Sequence, residues 1–110
     1  MDILFASEGL RKACNVRERG VRKWGQRRAV IVGRRLDELH AAETLEDVRH
    51  LGGCHELKGN RRGQIAVRLD GGFRLIFAPD PFPGPVKPDG GLDWKRVTAI
   101  KILGVIDYHD

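Results

Sequence analysis

The sequence predicts an α+β domain over residues 1–110, with N-terminal helices packed on a C-terminal antiparallel β-sheet. Apolar side chains in the first half recur at helical spacing, at Val21, Trp24, Val32, Leu36 and Leu39. In the second half the period changes to two, in Ile65-Ala66-Val67-Arg68-Leu69 and Phe73-Arg74-Leu75-Ile76-Phe77, around Asp70-Gly71-Gly72. A chain of 110 residues, 41% hydrophobic and 32% charged, has room for one modest core.

Residues 2–6 fit a short edge strand, and residues 7–13 one or two helical turns opened by Ser7 as N-cap. The helical stripe runs from about Val16 to Ala42, with a break possible at Gly20, Gly25 or Gly33. Thr44-Leu45-Glu46-Asp47 reads as a capped start of a short helix that ends before Leu51-Gly52-Gly53. The three-residue loop Asp70-Gly71-Gly72 pairs Leu69 with Phe73, Val67 with Leu75 and Ile65 with Phe77, so all six share one face. Arg68 then falls opposite Arg74 on the other face, where like charges repel. Such a pair is tolerable if well solvated and useful if it holds an anion. Residues 79–94, rich in Pro and Gly, read as a long irregular excursion unable to form helix or central strand. A last strand from about Val97 to Tyr108 places Ile100, Ile102 and Ile106 on one face and Leu103 and Val105 on the other.

The net charge is +5, unevenly spread. Residues 9–35 carry ten basic side chains against Glu18 alone, whereas residues 36–56 carry six acids against Arg49. Arginine supplies 14 of the 20 basic residues, the planar donor fork suited to phosphate. A polyanionic partner follows, and nucleic acid outranks a membrane surface because no lipid-facing apolar helix accompanies the charge. No apolar run approaches the roughly 20 residues of a membrane span. The first residues lack the pattern of a secretory signal, and two cysteines without a pairing framework suit a reducing cytoplasm.

Candidate chemistry lies in the turn-rich run Cys54-His55-Glu56-Leu57-Lys58-Gly59-Asn60-Arg61-Arg62-Gly63 and in the tail Asp107-Tyr108-His109-Asp110. The first also reads as a basic loop, the second as a solvated end. His55, Lys58, Arg68, Arg74 and His109 combine two groups that titrate near neutrality with three fixed cations. That set suits metal-free cleavage of an RNA phosphodiester by general acid–base catalysis. His50, Cys54 and His55 match no familiar zinc spacing, and adjacent Cys54 and His55 make a poor nucleophile pair. Trp24 and Trp94 are candidates for base stacking, although Trp24 lies on the apolar stripe.

The run from His55 to Gln64, then Val67-Arg68, Phe73-Arg74-Leu75-Ile76-Phe77 and the terminal Asp107-Tyr108-His109 resemble the HigB group of the RelE/ParE toxin superfamily. The likeness covers roughly residues 50–110, the helical half matching in layout only. It implies a RelE-like fold and a cytoplasmic toxin of a type II toxin–antitoxin system, an endoribonuclease cutting mRNA on the ribosome without metal or organic cofactor. It places His55 and Lys58 at loop active-site positions, Arg68 and Arg74 as sheet arginines, and Asp107, Tyr108 and His109 as a terminal catalytic triplet. His109 would be general acid or base, and Lys58 with the arginines would stabilise the phosphorane. RNA contacts are expected from Arg61 and Arg62 and from the helical Arg22, Lys23, Arg27 and Arg28. The implied partners are the ribosome, mRNA and a cognate HigA-like helix-turn-helix antitoxin. The competing readings are a ParE-like gyrase inhibitor and a basic RNA-binding module.

Overall fold

The computed structural model describes residues 1–108. In chain order it forms β1 (Asp2–Phe5), α1 (Glu8–Asn15), α2 (Arg17–Trp24), α3 (Gln26–Ala41), β2 (His55–Glu56), β3 (Ile65–Arg68), β4 (Phe73–Pro79) and β5 (Ala99–Asp107). Short 3₁₀ turns lie at Leu45–Val48, Gly59–Arg61 and Trp94–Arg96.

The Ser7 side chain accepts from the backbone N–H of Leu10 and caps α1. The long helical stripe breaks at Gly25, whose φ of +83° is open to glycine without strain. Trp24 before the break and Val32, Leu36 and Leu39 after it join the core, whereas Val21 lines a gap among the three helices. Thr44 and Asp47 close a reciprocal capping box at the next turn.

The sheet has the order β1-β5-β4-β3-β2. The hairpin register is the expected one, with Ile65 opposite Phe77, Val67 opposite Leu75 and Arg68 opposite Arg74. Leu69 donates to the Phe73 carbonyl at 3.0 Å, and Gly71 takes a left-handed φ of +54°. The sheet is mixed rather than antiparallel, because β1 pairs parallel with β5, Ile3 beside Ile100. Strand direction depends on which distant segment an edge strand meets, and the apolar pattern of β1 is the same for either direction.

Two further expectations are corrected in β4 and β5. Pro79 ends a central strand, opposite Ile100, at a terminal position where its missing N–H is tolerated. A bulge also interrupts the pairing, since Ile76 faces Gly104 and Phe77 faces Ile102, leaving Leu103 over. The extra residue exchanges the faces beyond it. Val105 therefore packs into the helix-side core with Ile100 and Ile102, and Ile106 joins Leu103 on the opposite face.

The main core joins Leu10, Val32, Leu39, Leu45, Ile65, Val67, Leu75, Phe77, Ile100 and Ile102 between helices and sheet. Trp94 is buried there, its Nε1 donating to Glu56 Oε2 at 3.0 Å with the Arg49 guanidinium over its ring, so it is no base-stacking platform. No helix among the described residues is long and apolar enough to cross a membrane.

At Gly20 α2 lies close against α1: a Cβ there would sit 2.6 Å from the carbonyl oxygen of Ala13. Gly20→Ala is expected to lower stability by about 1–3 kcal/mol, because backbone must move and the loss exceeds the gain in helix propensity. Urea denaturation checks this; a variant as stable as wild type would contradict the contact.

Candidate active site

The strand period divides the hairpin's chemistry between two sides. Ile65, Val67, Leu75 and Phe77 face the helices, and Ala66, Arg68, Arg74 and Ile76 face away. On that second face a small cluster of Leu57, Ala66 and Ile76, flanked by Leu103, Ile106 and Tyr108, includes no helical side chain. Four polar residues border it in a row across the strands. Tyr108 follows β5 and donates its N–H to Gly72 O at 2.9 Å; Arg74 pairs with Ile106 on β4; Arg68 pairs with Arg74 on β3; His55 pairs with Ala66 on β2.

Local geometry fixes each member of the row. Arg74 Nη1 donates to the carbonyls of Gly71 and Phe73 at 3.1 and 3.0 Å, which ties its guanidinium to the hairpin turn. Arg68 is exposed, and Gly53 lies against it so closely that a Cβ on Gly53 would stand 3.1 Å from the Arg68 Cβ. Gly53, at φ +67°, lets the chain turn over Arg68 before entering β2. His55 Nδ1 lies 2.7 Å from the Gly53 carbonyl, so Nδ1 carries the hydrogen and in the neutral ring Nε2 holds the lone pair. Two guanidinium groups directly across a ladder repel each other, and an anion between them converts that repulsion into charge-assisted hydrogen bonding.

Other expected site residues are not part of the row as described. Asp107 pairs with Phe73 and so belongs to the helix side of the sheet, away from Tyr108. Lys58 is exposed just past Leu57, at the start of the 3₁₀ turn. His109 lies outside the described residues. Arg62 is exposed on the same loop, and Arg61 donates to Gln64 Oε1 at 3.1 Å. Arg22, Lys23 and Arg27 are exposed on the helical layer, across the sheet from the arginine row. Arg28 is engaged internally: its Nε and Nη2 hold the Asp70 carboxylate at 2.9 and 3.2 Å, and its guanidinium lies 3.5 Å from the centre of the Phe73 ring.

Sequence reasoning missed the second clamp, in which Arg35 Nε donates to the Arg68 carbonyl at 3.1 Å and Nη1 pairs with Glu38 at 2.6 Å. Its only signal was one arginine among the eight of residues 9–35. It also missed Lys101, whose place between Ile100 and Ile102 assigns it by alternation to the face shared with Arg74.

Among the described residues, no group of three or more His, Cys, Asp or Glu is placed to hold a metal ion. Burial pushes the Cys54 thiol up to about 11, so at neutral pH it is a thiol and a weak nucleophile.

No protein-family model matches the chain, and no curated protein matches its sequence. Solved structures with a similar fold include YoeB from Staphylococcus aureus in a YoeB–YefM complex, at a TM-score of 0.58 and 15% identity, with all of this chain and 98% of that one covered. The YoeB dimer from the same organism gives a TM-score of 0.58 at 16% identity over the same coverage. At this identity the likeness concerns the fold: an α+β arrangement of three helices and a five-stranded mixed sheet.

The Arg28 clamp yields a pH-dependent prediction. Hydrogen bonding to Arg28 holds the Asp70 carboxyl below its ordinary range. A lowered folded-state pKa adds stability above the unfolded value and loses it as pH falls through the folded one. Asp70→Asn is expected to cost about 1 kcal/mol at pH 7. In acid, where the wild-type carboxyl is itself protonated, the difference should vanish. Urea denaturation at both pH values checks it; a gap that persists unchanged in acid would contradict the assignment.

Proposed function

We propose that this chain, as one domain, is the toxin of a type II toxin–antitoxin system, a cytoplasmic ribosome-dependent endoribonuclease that cuts mRNA without metal or organic cofactor. The observation carrying the reading is the direct pairing of Arg68 with Arg74 on the face away from the helices, with His55 diagonal to Arg68 on the next strand. The fold likeness to YoeB and the motifs shared with RelE/ParE toxins support it. The finer placement in the HigB group rests on the motifs alone.

In this reading the scissile phosphate sits between the two guanidinium groups. A base removes the proton of the 2′-OH, O2′ attacks phosphorus, and the bond to the 5′-oxygen breaks as an acid protonates it. The products are a 2′,3′-cyclic phosphate and a 5′-hydroxyl. His109 and the Nε2 of His55 supply the proton transfers. Arg68, Arg74 and Lys58 stabilise the charge that grows on the phosphoryl oxygens. Tyr108 orients the substrate, and Asp107 acts from the end of its strand. Arg61 and Arg62 contact the RNA near the cut, whereas Arg22, Lys23 and Arg27 on the helical layer meet ribosomal RNA. Arg28 supports that surface from its clamp on Asp70.

The partner that silences the chain is proposed to be a cognate antitoxin. The sequence resemblance points to a HigA-like helix-turn-helix protein, whereas the solved complex of the similar YoeB contains YefM.

Cell-free translation followed by primer extension tests the proposal. Codon-phased cuts in translated message are expected from the wild type. Arg68→Ala or Arg74→Ala should lower the cutting rate by about 10²–10³-fold, the usual cost of losing a donor to a developing oxyanion. His109→Ala should abolish cutting while thermal unfolding stays unchanged. Gyrase-dependent DNA breaks, or RNA binding with no cuts, would overturn the reading.

A further inference from the structure

On the face that carries Arg74, β4 continues through Ile76 to Ala78, about 13 Å along the strand. There a pocket of about 420 Å³ opens between the sheet and the Pro-rich excursion, lined by Gln64, Asp80, Phe82, Lys101 and Leu103. Phe82 is 59% exposed, unusual for so large an apolar side chain. The tip of its ring rests on Gly63: a Cβ at that position would stand 2.8 Å from both Cε2 and Cζ. Gly63, at φ +89°, therefore braces the ring from the same loop that holds Lys58 and Arg62.

The polar lining is left available. Asp80 is anchored by its backbone N–H, which donates to Ala99 O at 2.9 Å. Among the described residues, neither its carboxylate nor the Lys101 ammonium belongs to an ion pair. The pocket thus joins an exposed aromatic ring to one acceptor and one cationic donor, and the Gln64 amide, whose Oε1 accepts from Arg61, adds its NH₂ as a further donor. A heterocyclic base has the matching chemistry: a π-face to stack, and an edge where hydrogen-bond donors stand beside acceptors.

Resting on the proposed function, we propose that this pocket is a nucleobase subsite for the RNA strand cut at the arginine row. Phe82 stacks on a base flanking the cleaved linkage, and Asp80 and Lys101 read its edge. The excursion at residues 79–94 thereby sets which sequences are cut. An RNA strand is favoured over other occupants because the pocket shares its sheet face with Arg68 and Arg74, and a short run of single-stranded nucleotides spans the interval.

The test uses the full chain and 2′-O-methyl hexanucleotides, which cannot be cleaved, carrying 2-aminopurine at each position in turn. Fluorescence titration reads affinity, and sequencing of cut sites after cell-free translation reads base preference. Phe82→Leu, which keeps an apolar contact on Gly63 but lacks the ring, should weaken binding roughly tenfold. Phe82→Tyr should restore it. Lys101→Met and Asp80→Asn should change the distribution of bases beside the cuts. Leu and Tyr variants equally weak would mean that Phe82 only packs against the loop, which overturns the subsite. Variants that bind and cut like wild type, as when the pocket serves a protein partner, overturn it too and leave the endoribonuclease standing. A wild type that neither binds nor cuts RNA overturns both.

Discussion

Six apolar side chains must reach one core from two short strands, and this constraint sets the hairpin register on which the candidate site depends. With Ile65, Val67 and Leu69 aligned on Phe77, Leu75 and Phe73, Arg68 and Arg74 have no choice but to meet across the ladder. A slip of one residue would carry the arginines into the core and the apolar set into water. Hydrophobic burial, most of it on the opposite face, thus supplies the force that holds two like charges side by side.

Two arginines of α3 reinforce that register from the helix side. Arg28 grips Asp70 at the turn and covers Phe73, while Arg35 reaches the carbonyl of Arg68 at the end of β3. The tip of the hairpin is therefore tied to the helix rather than left to fray. The turn carbonyls that hold the Arg74 guanidinium belong to this tied segment. Part of the dense positive charge of the N-terminal half serves folding before it serves any ligand.

Features written in local periodicity were legible in the sequence: the hairpin, its turn, the Ser7 cap, the break available at Gly25 and the opposition of Arg68 to Arg74. Features that depend on distant chain segments were not. The parallel docking of β1 depends on where β5 ends up. The bulge at Leu103 depends on how β5 accommodates β4, and it alone moved Ile106 and Val105 to faces opposite those expected. Arg28 and Arg35 look like any other cations until α3 is laid against the hairpin. In the candidate site, the hairpin register placed Arg68 opposite Arg74, whereas the presence of His55 and Tyr108 on the same face depends on how β2 and β5 dock. Asp107 fell on the other, because strict alternation separates it from Tyr108.

The absence of helical cover over half of the sheet has an evolutionary consequence. Side chains such as Arg68, exposed on that surface, carry little of the packing energy, and substitutions at such positions change stability by only a few tenths of a kcal/mol as a rule. The residues that make the scaffold sit behind them on the same strands. Mutation can rewrite the exposed letters of that face one at a time without endangering the architecture. Lineages built on this plan are free to diverge in surface chemistry while remaining superimposable in shape.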